Sequence, residues 1–260
     1  PGSYAPLWHA KAQRVLGSLF APPAAASMRM QADKNYYEAQ EAFARQDISY
    51  FSAMLGHAHK LHKAGKGATI VFSLNFKTFC IPKFNKEYML ALRQTPAPLL
   101  QYLTPRFVRV PPGTTQALLS EKVQALSSVF KHVVLHCRPT ADRSTLEFVP
   151  CSILSTSWKD ISHALNGERA GQTASAVAKQ FAQLAKMQRL NGLISGIDTP
   201  EALEVAITSG VEFISGAAVL PLSRAPFGQR QLTLAEIRAP VVEAPASADA
   251  PADPGDIELV

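Results

Sequence analysis

LISGIDTPEALEVAITSGVEFISGAAVLPL, residues 193–222, holds a strand, a helix and a second strand in succession. Leu193–Ile197 is a short run of mostly apolar residues, and Val211–Ser215 is another. Both are strand-like in length and in their content of β-branched and aromatic residues. Between them, Thr199-Pro200-Glu201 reads as a helix start, with proline at the first helical position, where a missing N–H costs little. Gly210 supplies the left-handed residue that ends such a helix. Gly216, at the end of the second run, permits close backbone approach. Strand, helix and strand in this order predict a parallel β/α unit.

Further runs of the same kind are TIVFSLNF (residues 69–76), RFVRV (106–110), HVVLHC (132–137) and LEFVPC (146–151). Amphipathic stretches lie between several of them. Leu119, Val123, Leu126 and Phe130 recur at helical spacing, as do Val177, Phe181 and Leu184. Near the start, YAPLWHA (4–10) and RVLGSLF (14–20) flank a polar Lys11-Ala12-Gln13 turn and predict a hairpin. Two helices are expected next: one around Tyr36, Ala39, Ala42 and Phe43, and one from Ile48 to about Lys63, stopped by Gly65 and Gly67. Eight strand candidates, mostly alternating with helices, point to a closed β/α barrel, an architecture of about 250 residues.

The chain has 260 residues, 47% of them hydrophobic, enough for a sizeable core. No apolar run reaches the roughly 20 residues of a membrane span, and a soluble, cytoplasmic fragment is expected, compatible with a longer, membrane-attached parent. Cys80, Cys137 and Cys151 are scattered without metal-type spacing; Cys137 and Cys151, in apolar strand-like stretches, read as buried small hydrophobes, and a reducing compartment is expected. Net charge is +6, unevenly placed. From Ala239 onward there are five acidic residues and no Lys or Arg, so residues 1–238 carry +11. That body can attract an anion or an acidic protein surface. No basic run interleaves with aromatics, which argues against nucleic acid. The boundaries read as a barrel over 4–238 and a flexible acidic, Pro/Ala-rich tail over 239–260.

The order of these segments resembles the EAL domain family, bacterial phosphodiesterases of cyclic di-GMP and their inactive relatives. YAPLW resembles the family's opening strand. Val15-Leu16-Gly17 resembles the strand leading into the Glu-Ala-Leu signature. SLNFKTF resembles the strand bearing the family asparagine, here Asn75. Gly196, Thr199, Leu203, Gly210, Gly216 and Pro221 keep the cadence of the late family motifs. The resemblance spans residues 4–222 and implies a modified TIM-type (β/α)8 barrel with one antiparallel strand near the N-terminus.

The resemblance also implies where two divalent metals and their carboxylate ligands would stand, at the C-terminal ends of the strands, and there this sequence departs from the family. The signature glutamate corresponds to about Leu19 and the third-strand glutamate to about Arg109, followed by Pro111 and Pro112. The paired aspartates are replaced by His136-Cys137-Arg138-Pro139, and the next strand's lysine is lost near Val149 or Pro150. Ser195 and Ser215 replace a late glutamate and glutamine. Asn75 and Asp198 alone persist, and hard cations need several convergent oxygen ligands. The expectation is a catalytically inactive EAL-like domain with no catalytic residue, metal or cofactor. Its partner is expected to be another protein of a bacterial signalling or cell-organisation pathway, and a homodimer is compatible with the sequence. The alternative is a cyclic di-GMP receptor that binds without hydrolysis, with Asn75, Arg109, Arg138 and Asp198 as ligand residues. Arg143 joins Arg109 and Arg138 as a basic rim. His57, His59 and His62 read as a solvated helix end, and His136 and Cys137, adjacent on a strand, point to opposite faces.

Overall fold

Ser3–His9 (β1) and Arg14–Ala21 (β2) form the expected antiparallel hairpin, with a bulge between Leu7 and Trp8. The computed structural model describes residues 2–22 and 36–239. The predicted tail therefore lies outside the described residues, except for Ala239. Six more strands follow in parallel: Thr69–Asn75 (β3), Leu103–Val108 (β4), Val134–His136 (β5), Ile153–Ser157 (β6), Asn191–Ser195 (β7) and Phe213–Ser215 (β8). Each of β2 to β8 pairs with the next, and β1 closes the ring antiparallel to both β8 and β2. The result is an eight-stranded mixed barrel wrapped by helices. Arg230–Gln231 (β9) adds a short antiparallel edge to β2.

The unit over residues 193–222 forms as its sequence predicts. Thr199 caps the helix Pro200–Ser209, its side chain accepting from the Ala202 N–H. Gly210 ends the helix at φ 82°. A Cβ on Gly216 would stand 2.1 Å from the Ile197 carbonyl oxygen, so this backbone contact requires glycine. Leu119, Val123 and Leu126 face inward from Gln116–Ser127, and Val177, Phe181 and Leu184 do so from Ala174–Met187.

Two expectations are corrected. Residues 36–63 form one helix, Tyr36–Lys63 (α1), rather than two. Ala44, Phe51, Met54, Ala58 and Leu61 are all buried along it. They make one stripe at helical spacing, and Ala44-Arg45-Gln46-Asp47 contains no breaker to interrupt it. LEFVPC is not a strand. Leu146 ends the short helix Arg143–Leu146, and Phe148 turns left-handed at φ 60° with 84% of its surface exposed. Pro150 has no N–H for a ladder, and the true strand begins at Ile153.

Two apolar cores flank the barrel wall. The larger lies between strands and helices. The smaller joins Leu7, Leu19, Val71, Val134, Leu193 and Phe213, one residue from each of six strands, with Ile153 packed against it. Only the inside of the barrel brings those strands together, so this cluster is the plug that fills its lower half. Among the described residues no helix is long and apolar enough to cross a membrane.

Candidate functional site

Side chains alternate across a strand, so the residues two positions beyond the plug also face the barrel interior, one layer nearer the C-terminal mouth. They are Ser73 on β3, His136 on β5, Ser195 on β7 and Ser215 on β8. On β4 and β6 the same layer is filled by Arg106 and Ser155. Arg106, Ser155, Ser195 and Ser215 are all buried. A barrel that is apolar below thus becomes a ring of hydroxyls around one guanidinium above.

Arg106 is the centre of this layer. Its Nε donates to Ser155 Oγ at 3.0 Å, and its Nη2 donates to Ser195 Oγ at 3.3 Å and to His136 Nδ1 at 2.6 Å. Arginine only donates, so His136 Nδ1 is the acceptor and the ring proton lies on Nε2. That Nε2 meets Asp160 Oδ2 at 3.1 Å. Asp160 is fixed in turn by a capping box with Ser157 at the start of the helix Trp158–Leu165, where Ser157 Oγ donates to the same carboxylate. Burial pulls the Arg106 guanidinium down to about 10, against the pull of Asp160. Burial and the neighbouring Arg106 lower His136, although Asp160 opposes them. His136 is therefore neutral near pH 7. For Asp160 burial works upward, but the bonds from His136 and Ser157 outweigh it and hold the carboxyl at about 2. Burial pushes the Cys137 thiol up to about 12, so it is protonated and not a nucleophile.

The four residues expected to bind a ligand fall in different places. Arg109 stands just past β4 at φ 58°, with its guanidinium carbon 4.3 Å from the centre of the Phe43 ring. It shares a cavity of 120 Å³ with Asn75 and Asp47, and a second of 390 Å³ with Arg106, His136, Arg138, Ser157 and Asp160. Arg138 is exposed and paired with Glu168 at 3.1 Å. Asn75 is 4% exposed, and its Oδ1 has no hydrogen-bond partner among the described residues. Its backbone N–H donates to Asp47 Oδ2 at 2.8 Å, an oxygen that also accepts from Tyr88 at 2.6 Å. Burial pushes the Asp47 carboxyl up to about 6 despite those two bonds and Arg109. Asp198 lines neither cavity; its Oδ1 accepts from the Ala217 N–H at 3.0 Å, bracing the turn after β8. Arg143, exposed at the start of the short helix Arg143–Leu146, is apart from both cavities. His57 packs edge-on against Tyr4 and His62 against Tyr102, while His59 is exposed, so the three do not converge.

Arg106, His136 and Asp160 are the trio that sequence reading did not assemble. One signal was present: Arg106, an arginine that opens the apolar run RFVRV.

No family model matches this sequence, and neither does any curated protein sequence. Solved structures do. The PaMucR phosphodiesterase in complex with c-di-GMP superposes over 85% of this chain and 96% of its own, at 14% identity and a TM-score of 0.61. The FimX EAL domain of Xanthomonas citri, also with c-di-GMP, covers 86% of this chain and 87% of its own, at 12% identity and a TM-score of 0.63. An EAL domain protein from Listeria monocytogenes covers 85% and 87%, at 12% identity and a TM-score of 0.57. This is the EAL-domain fold.

Identity this low carries the fold alone, so the chemistry of the mouth is judged on the residues present. Two divalent cations need convergent carboxylates. Among the described residues no group of three or more His, Cys, Asp or Glu is placed to hold a metal. The ligand atoms at the mouth are serine hydroxyls, the Asn75 amide oxygen, the His136 imidazole and two separate carboxylates, Asp47 and Asp160, and a buried guanidinium stands among them. This set does not fit a pair of hard cations.

Proposed function

We propose that this chain is a non-hydrolysing EAL-like domain, acting as a protein-interaction or regulatory module in bacterial signalling. The observation that carries the reading is Arg106. Its guanidinium, buried and hydrogen-bonded to Ser155, Ser195 and His136, occupies the layer from which metal ligands would project. A fixed positive charge there repels cations, most strongly in a low-dielectric interior. A protein partner is supported by surface at the opposite end of the barrel. Phe148 (84% exposed) and Met187 (55% exposed) line one cavity of 400 Å³ before β6 and β7, and large exposed apolar groups in one place mark contact surfaces.

Incubation with cyclic di-GMP and Mn²⁺ or Mg²⁺, followed by chromatography, tests the first half. The expected outcome is no linear dinucleotide, and its appearance overturns the reading. A receptor role is the second reading, favoured by the cavity that Arg106, Arg109 and Arg138 share. Calorimetry with cyclic di-GMP, with and without Mn²⁺, decides between the two. Micromolar affinity favours the receptor, and no heat favours the protein-docking module.

A further inference from the structure

Arg106 is a buried cation without a carboxylate of its own. Among the described residues its direct partners are two serine hydroxyls and a neutral imidazole. Asp160, the nearest acid in the network, is one imidazole ring away and already engaged by His136 and Ser157. Burying a charge without a direct counter-ion costs several kcal/mol. The Arg106 Nη1 group makes no hydrogen bond among the described residues, nor is it one of the sealed, unpartnered polar atoms. It is therefore left to the 390 Å³ cavity that Arg106 lines. Arg109, stacked on Phe43, and Arg138, paired with Glu168, line the same cavity from its rim.

We propose that the barrel mouth is a metal-independent oxyanion site, with Arg106 as its buried anchor and Arg109 at its rim, taking a phosphate group. A position that elsewhere in this fold calls for cations has become one that calls for an anion. The site has the part such recognition needs: a guanidinium fixed by hydrogen bonds on one edge, with donors free on the other. Asp160 also lines the cavity, and its oxygen Oδ2 is taken up by His136 and Ser157. The inference goes beyond protein docking and does not depend on it.

The test is titration of the full chain with inorganic phosphate in EDTA at low ionic strength, followed by calorimetry and by the NMR shifts of the His136 ring. Phosphate is expected to bind and to move the His136 resonances. Arg106→Met, checked for folding by thermal unfolding, is expected to weaken binding at least roughly tenfold, and Arg109→Gln by about threefold to fivefold. A parallel titration with cyclic di-GMP in EDTA distinguishes the source of the phosphate group. Tighter binding than inorganic phosphate, lost in Arg106→Met, supports the site and assigns it to a dinucleotide. A silent His136 ring, or Arg106→Met binding phosphate as the parent does, overturns the proposal. Linear product in the metal-containing assay sinks the non-hydrolysing reading instead, and leaves the EDTA titrations to judge the anion site alone.

Discussion

The lower and upper halves of the barrel interior are built from the same strands, two residues apart, and follow opposite rules. Below, Leu7, Leu19, Val71, Val134, Leu193 and Phe213 pack as a dry plug. Above, Arg106 and His136 sit among Ser73, Ser155, Ser195 and Ser215, and the Ser215 hydroxyl has no partner among the described residues. The plug is held by area removed from water, a term that is non-directional and tolerant of sequence. The upper layer is held by directed bonds, which stabilise only if each polar group is matched. This asymmetry teaches where stability lives.

The sharpest way to break the comparison is to truncate the plug. Leu193 is fully buried on β7, and Leu193→Ala is expected to cost about 3 kcal/mol in urea unfolding, from lost transfer energy and the remaining cavity. A loss below about 1 kcal/mol means that the plug is not the main support.

Asp47 sharpens the contrast through pH. Its folded pKa, about 6, lies above the ordinary carboxylate value of 3.8, so the folded chain holds a proton that the unfolded chain releases. The stabilisation is fully present below about pH 4 and is lost as pH rises through 6, about 3 kcal/mol in all. Urea midpoints between pH 4 and 7 should fall along this slope, and Asp47→Asn should flatten it. Asp160 has the opposite sign. Its carboxyl, held at about 2, contributes stability above about pH 4 that is lost as pH falls towards 2. Asp160→Asn should cost about 1–2 kcal/mol through the helix cap and the His136 bond. It should also lower the His136 pKa further in an NMR titration, because Asp160 is the group that raises it.

How much of this was legible in the sequence follows the same division. The plug and the outer helices announce themselves by periodicity: Leu119, Val123 and Leu126, or Thr199-Pro200 with Gly210, needed only local rules. Strand β6 did not, because its inward residues are Ser155 and Ser157, while the more apolar LEFVPC next to it drew the assignment. The long helix was divided for want of a visible stripe across residues 44–51. At the mouth, the family resemblance points to Arg109, whereas the buried charge is Arg106. Which of two arginines three residues apart turns inward depends on the level at which β4 meets its neighbours, and long-range register is invisible to a local reading.

The smallest expected change in stability is the most telling. Arg106 is nearly as buried as Leu193, 6% exposed against 0%, yet Arg106→Met is expected to leave stability within about 1 kcal/mol of the parent, since an apolar residue of similar volume removes the cost of burying a charge. The groups it abandons are not all orphaned: Ser155 Oγ still donates to the Leu135 carbonyl at 3.4 Å and Ser195 Oγ to the Thr156 carbonyl at 3.1 Å. Only the Nδ1 of His136 loses its main donor, and Asp160 keeps the ring in place. Thermal unfolding of the two variants side by side reads the difference directly. If Arg106→Met destabilises the chain as much as Leu193→Ala, the upper layer is structural, and the guanidinium is there to hold the barrel shut. If it does not, a buried charge is being kept at no benefit to the fold, and what maintains it is whatever it binds.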